Sequence, residues 1–107
     1  SWGIDDVLDS IFFASAFLAL PGGIGTFEEF FEAWTWRQLG YHAKPIGLLN
    51  HDGFYDGLLS FLRHSQAQGF MSPDLMALVD VDTHPAALLE RLARGADGEF
   101  SPLAAVF

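Results

Sequence analysis

The apolar residues of this chain fall into two rhythms. One is the short unbroken run. Ala16-Phe17-Leu18-Ala19-Leu20 is stopped by Pro21-Gly22-Gly23, and Ile46-Gly47-Leu48-Leu49 enters from Lys44-Pro45 and ends at Asn50-His51-Asp52-Gly53. Apolar runs of this length, bounded by turn residues, predict strands buried on both faces. Leu78-Val79-Asp80-Val81-Asp82 predicts a third strand. The other rhythm is helical. Phe27, Phe30, Phe31 and Trp34 recur at i, i+3, i+4 and i+7 and predict a helix from Thr26 to about Leu39. A second helix is predicted from Phe54 to Gln68 on Leu58, Leu59, Phe61 and Leu62, and a last one from His84 to Arg94 on Leu88, Leu89 and Leu92.

The ends of these segments carry matching signals. Thr26 with Glu29 has the spacing of a capping box. Gly40 and Gly69 stand where helices stop, Ser72-Pro73 starts one further helical turn, and Thr83 is the expected cap of the last helix. Ser1–Ser10 reads as a weakly patterned helix that can extend to Ala14, and Gly95–Phe107 as a loose tail. The order is β-α-β-α-β-α, the signature of an α/β fold: a parallel sheet with helices on its faces and right-handed crossovers. Three strands are expected, with both outer edges free.

Composition narrows the function classes. The 107 residues make one domain, 1–107, with a core at 10–94 and a tail at 95–107. Half the residues are hydrophobic, with 11 Phe, 3 Trp and 2 Tyr, which excludes a disordered chain. The mean hydropathy of +0.25 is high for a small free-standing domain and points to a partner surface, a ligand pocket or missing neighbours. Five basic residues against fourteen acidic ones give a net charge of -9. That balance argues against nucleic acid and against an anionic membrane as partners, while leaving a small nucleotide open. No Cys is present, and the four His (His42, His51, His64, His84) form no i, i+4 pair, so no metal site is expected. The acidic start does not read as a signal peptide, and the run Ile11–Leu20 is too short to span a bilayer. A cytoplasmic protein is the expectation.

The chemistry is concentrated in Leu20-Pro21-Gly22-Gly23-Ile24-Gly25-Thr26-Phe27-Glu28-Glu29. A strand running through a glycine-rich turn into a helix places backbone amides of Gly22, Gly23, Gly25 and Thr26 where an anion binds, outside the carboxyl end of a parallel strand. The competing reading is a tight turn that needs glycine for its geometry alone. This is neither the dinucleotide fingerprint nor a P-loop. Glu28 and Glu29 serve either as helix-start charge or, projecting over an anion site, as a carboxylate that stabilises an oxocarbenium-like transition state. Trp36 lies on a different helical face from Trp34 and is the candidate for a partner-facing aromatic, while Tyr41 and Phe54 are candidates for stacking on a base.

Pro21-Gly22-Gly23-x-Gly25-Thr26-x-x-Glu29 resembles the P-G-G-x-G-T-x-x-E motif of the LOG ("Lonely Guy") family, cytokinin riboside 5′-monophosphate phosphoribohydrolases often described as lysine decarboxylases. Thr35-Trp36-x-Gln38-Leu39-Gly40-x-His42-x-Lys44-Pro45, Asn50-x-Asp52-Gly53-Phe54-Tyr55-Asp56 and Gly69-Phe70 are similar to further family positions, so the resemblance covers about residues 10–94. It implies a Rossmann-like fold, a homodimer with the active site near its interface, no metal or organic cofactor, and hydrolysis of an N6-modified adenosine monophosphate to free base and ribose 5-phosphate. It further implies that Gly22, Gly23, Gly25 and Thr26 hold the phosphate, that Glu29 is the catalytic carboxylate, and that Thr35, Trp36 and Gln38 sit on the dimer-facing side of the pocket. Some relatives with the same glycine motif carry molybdenum cofactor instead, and a non-catalytic binding module is the alternative expectation. The sequence departs from the family in two ways. It matches only the C-terminal half of a longer template, so truncation at the N-terminus is expected. It also lacks the M-H-x-R-K segment whose Arg acts with the Glu: no Arg precedes Arg37, and Asp6 occupies the corresponding slot.

Overall fold

The computed structural model describes residues 15–96 and 105–106. The predicted helix over residues 1–14, and with it Asp6, lies outside them. Strands β1 (Phe17–Ala19), β2 (Ile46–Leu49) and β3 (Val79–Asp82) alternate with helices α1 (Ile24–Gln38), α2 (Asp56–Ala67), the single turn α3 (Pro73–Met76) and α4 (Pro85–Gly95), and β4 (Ala105–Val106) follows. The strands form one sheet in the order β3-β2-β1-β4. All pairs are parallel, with Phe17 opposite Ile46 and Ile46 opposite Val79.

The pleat sorts the strand residues between two cores. Phe17, Ala19, Ile46 and Leu48 point to one face, where Phe30, Ala33 and Trp34 of α1, Tyr55 and Leu62 cover them. Ala16, Leu18 and Leu49 point to the other, against Leu88 and Leu92 of α4. Because β1 and β2 are covered on both sides, they read as continuous apolar runs. The fold is the expected α/β, Rossmann-like arrangement. At Gly47 helix and sheet approach closely: a Cβ there would lie 2.9 Å from a Leu92 methyl and 3.2 Å from one of Leu88.

Polar groups lock the helices in place. The Trp34 indole N–H donates to the Leu75 carbonyl at 3.0 Å, tying α1 to α3 across the first core. His42 joins the end of α1 to the entry of β2. Its Nδ1 accepts from the Lys44 amide at 3.1 Å, so Nε2 carries the proton and donates to the Ala33 carbonyl at 2.9 Å. Among the described residues no helix is long and apolar enough to cross a membrane.

Element boundaries differ from the sequence expectation at four places, each for a local reason. Helix α1 starts at Ile24 with Gly23 as cap, because the Phe27 amide already donates to the Gly23 carbonyl at 3.1 Å. Thr26 is therefore inside the first turn and forms no capping box with Glu29. Helix α2 begins at Asp56, since Asp52 (φ 51°) and Gly53 (φ 73°) are left-handed and Phe54 still belongs to the turn. Helix α4 begins at Pro85 with His84 as cap; Asp82 Oδ1 takes the His84 amide at 2.9 Å, so the chain turns on Asp82 rather than on Thr83. The expected loose tail contains β4, which pairs with the exposed edge of β1 at Phe17 and Leu18 and makes a fourth strand where three were predicted. A two-residue strand has no periodicity to detect, and it forms because an open edge presents unpaired amides and carbonyls.

Candidate functional site

In a parallel sheet all strands end on the same side, and the connections that leave those ends form a crevice. Here they are the glycine segment Leu20–Gly23 after β1, the Asn50–Tyr55 turn after β2, and Asp82–His84 after β3. The Asn50 amide donates to the Asp82 carbonyl at 2.8 Å, which holds the last two ends together.

The glycine segment delivers the start of α1 into this crevice. With Gly23 as cap, the amides of Gly23, Ile24, Gly25 and Thr26 are the ones an α-helix leaves without an intrahelical acceptor. No side chain among the described residues caps them. The 15-residue helix behind them adds its dipole, so this end presents open donors and partial positive charge.

The three glycines of the segment differ in what they do. None has a positive φ, so the turn's dihedrals do not demand glycine at any of them. At Gly22 a Cβ would run into the Thr26 hydroxyl and come within 3.0 Å of its Cβ. Gly22 is thus required for Thr26 to fold back over the turn. Around Gly23 and Gly25 nothing lies within 4 Å of where a Cβ would be. Their bare faces border open space, which is the arrangement that lets a ligand approach the backbone.

Glu29 stands one helical turn beyond Gly25 and is half-buried. Burial raises its pKa above the ordinary carboxylate value, and the neighbouring charges of Glu28 and Glu32 push the same way. Glu28 is exposed. Glu32, which in the sequence reads only as helix-start charge beside Glu28 and Glu29, shares the environment: it too is raised by burial, and its Oε2 is buried without a partner among the described residues. Its only sequence signal was the spacing from Glu28 and Glu29.

The remaining sequence candidates lie elsewhere. Thr35 and Gln38 line a pocket of about 170 Å³ with Phe31, Trp34, Leu62, Met71 and Leu75. The helical rise places Gln38 about 18 Å along α1 from Thr26. Neither the glycine segment nor Glu29 lines this pocket. Trp36 does not line it either; it is half-buried against Tyr41, with ring centroids 4.7 Å apart. Phe54 is exposed and packs edge-on against Tyr55 at 4.9 Å.

Comparison with known proteins follows this geometry. A family model described as "Possible lysine decarboxylase" matches residues 11–92. Cytokinin riboside 5′-monophosphate phosphoribohydrolase LOG2 of Arabidopsis thaliana is 51% identical over 79 residues, covering 74% of this chain and 37% of that protein. The phosphoribohydrolase LOG of Oryza sativa subsp. japonica is 55% identical over 67 residues, 63% of this chain and 28% of its own. The probable phosphoribohydrolase LOGL2 of the same rice is 45% identical over 89 residues, 83% of this chain and 34% of its own. The chain thus spans about a third of the length of the curated relatives it matches. With the family model matching most of its residues, the chain belongs to that family, the LOG family, and covers part of its domain.

Proposed function

We propose that this chain carries the phosphate-binding and carboxylate portion of a nucleotide N-glycosidase, a hydrolase that converts an N6-modified adenosine 5′-monophosphate to free base and ribose 5-phosphate. The observation that supports this most directly is the pairing of uncapped amides at Gly23–Thr26 with a half-buried carboxylate, Glu29, one turn behind them. The names of the relatives supply the substrate class.

In this reading the 5′-phosphate sits on the amides of Gly23, Gly25 and Thr26, with the Thr26 hydroxyl and the helix dipole adding to the attraction. Against the chain's net charge of -9, the attraction in this reading comes from this local arrangement. Glu29 faces the ribose C1′. As the C1′–N bond breaks, its electron pair leaves with the base, positive charge gathers on the sugar, and the carboxylate stabilises it. Water adds its oxygen to C1′ and the departing base gains a proton. No metal or organic cofactor enters the scheme.

Gly22 keeps Thr26 in register. Thr35, Trp36 and Gln38 follow Glu29 along α1, and Thr35 and Gln38 line a pocket that Glu29 does not. We place them on the face that meets a second copy in a homodimer, where the far end of α1 of one copy approaches the site of the other. A cytoplasmic location accords with the absence of Cys.

The test is base release from adenosine monophosphate and its N6-isopentenyl form, followed by chromatography, using the protein with its native flanking sequence. The expected products are free base and ribose 5-phosphate, and Glu29→Gln is expected to lower turnover by roughly 10²–10⁴-fold while retaining nucleotide binding. Equal turnover by the wild type and Glu29→Gln would remove Glu29 from the mechanism, and no base release by the wild type would reject the activity.

A further inference from the structure

The glycine segment has no side-chain cap and no positive-φ residue to stiffen it. Something outside it must fix where its amides point. Its support comes from Tyr55, far along the chain. The Tyr55 hydroxyl donates to the Leu20 carbonyl at 2.5 Å, across 35 positions of sequence. Leu20 follows β1 and precedes Pro21, so this bond sets the point at which the chain leaves the sheet. The Tyr55 ring also meets Phe27 edge-on at 6.2 Å, and Phe27 lies in the first turns of α1. Tyr55 thus touches the segment before its first glycine and after its last.

Tyr55 is itself held. It is buried, and its backbone amide donates to Asn50 Oδ1 at 2.6 Å. The Asn50 Nδ2 donates to Asp56 Oδ1 at 2.8 Å. Asn50 is buried at the end of β2, so both halves of its amide side chain are used to clamp the start of α2. Gly53 makes room for this clamp: a Cβ there would meet Asp56 Oδ2 at 2.6 Å, and its φ of 73° lets the turn close. Burial raises the Tyr55 pKa, so the phenol keeps the proton it donates. The chain of contacts runs from the end of β2, through Asn50 and Tyr55, to Leu20.

We propose that Tyr55, set by Asn50, is the positioning residue of the phosphate-binding segment: its hydroxyl fixes the Leu20 carbonyl and thereby the direction of the Gly23–Thr26 amides. This rests on the functional reading above and adds a residue to it. Tyr55 touches no reacting atom in that reading.

The test is Tyr55→Phe, which keeps the ring contacts with Phe27 and Phe54 and deletes only the hydroxyl. Binding of adenosine monophosphate and of adenosine is measured for the wild type and the variant, with the ratio of the two affinities as the readout. The variant is expected to lose about tenfold of the preference for the phosphate-bearing ligand, the scale of one misdirected hydrogen bond. KM for the nucleotide rises accordingly, and kcat changes less. Gly47→Ala is the control for instability alone, because it crowds α4 on the opposite face of the sheet; it is expected to keep the wild-type ratio. Hydrogen exchange without ligand gives a second readout, with the amides of the segment at residues 20–27 expected to exchange faster in Tyr55→Phe and not in Gly47→Ala. An affinity ratio and exchange pattern unchanged in Tyr55→Phe would overturn the positioning role. A wild type with no preference for the phosphate would instead overturn the functional reading on which the role depends.

Discussion

Gly22 and Gly25 stand three residues apart in one motif, yet opposite outcomes are expected from the same substitution. At Gly22 the new methyl meets the Thr26 hydroxyl and lies 3.0 Å from the Thr26 Cβ and 3.4 Å from its Cγ2. Thr26 is β-branched and fixed in the first turn of α1, so it cannot swing away as the end of a long side chain would. Crowding of this kind costs about 1–3 kcal/mol. For a domain of this size each kcal/mol lowers Tm by roughly 4–8 °C, so Gly22→Ala is expected to melt at least about 4 °C below the wild type. At Gly25 nothing lies within 4 Å, and the residue is helical. There Ala is favoured over Gly by roughly 0.5–1 kcal/mol, and Gly25→Ala is expected to melt slightly above the wild type. Binding is expected to run the other way from stability. Gly25→Ala puts its methyl into the open space that the phosphate reading fills, so it weakens nucleotide binding in a protein that is more stable. Thermal melts monitored by circular dichroism, paired with a titration of adenosine monophosphate, read both quantities on the same samples. A Gly22→Ala protein that melts with the wild type would refute the packing argument. A Gly25→Ala protein with unchanged nucleotide affinity would refute the assignment of that open face to the ligand.

Three further outcomes follow from the structure. Because burial raises the Glu29 pKa, the acid limb of the kcat/KM profile for base release is expected above the ordinary carboxylate range, and Glu29→Gln is expected to lower kcat by roughly 10²–10⁴-fold. His42 is held neutral, its pKa lowered by burial from 6.5 with the charges of Arg37 and Lys44 adding to the effect. Its unfolded form therefore takes up a proton before the folded form does, and its contribution is full above about pH 6.5 and falls as pH drops below that value; the stability difference between the wild type and His42→Gln, from urea unfolding at several pH values, is expected to be flat above neutrality and to shrink on the acid side. Gly47→Ala is expected to destabilise by about 1–2 kcal/mol, and Leu92→Val in the same chain to recover part of that loss, since the inserted methyl lies 2.9 Å from a Leu92 methyl; strict additivity of the two in a double-mutant cycle would show that they do not touch.

The sequence by itself determined the alternation of strands and helices, because each element announces its burial by its own period. Ala16–Leu20 and Ile46–Leu49 had to be covered on both sides, and that requirement alone implies helices on two faces of a parallel sheet. It also singled out the glycine segment as a candidate anion site, since a strand, a glycine turn and a helix in direct succession place backbone amides outside the end of a parallel strand; Glu29 was singled out by the resemblance to the LOG motif. What it left undecided depended on distances between residues far apart in the chain. The capping box of Thr26 and Glu29 has the right spacing and does not form, because Gly23 already closes the first helical bond and Thr26 folds onto Gly22 instead. Thr35 and Gln38 belong to the same helix as Glu29, but the helical rotation of about 100° per residue turns them onto another face, where they line a pocket with Leu62 and Met71. The role of Tyr55 is invisible in sequence: a Tyr beside a helix start reads as core, and only the tertiary fold brings its hydroxyl to the Leu20 carbonyl. Local period is set by neighbours a few residues away and can be read from them. A hydrogen bond spanning 35 residues exists only after the sheet has placed the ends of β1 and β2 side by side.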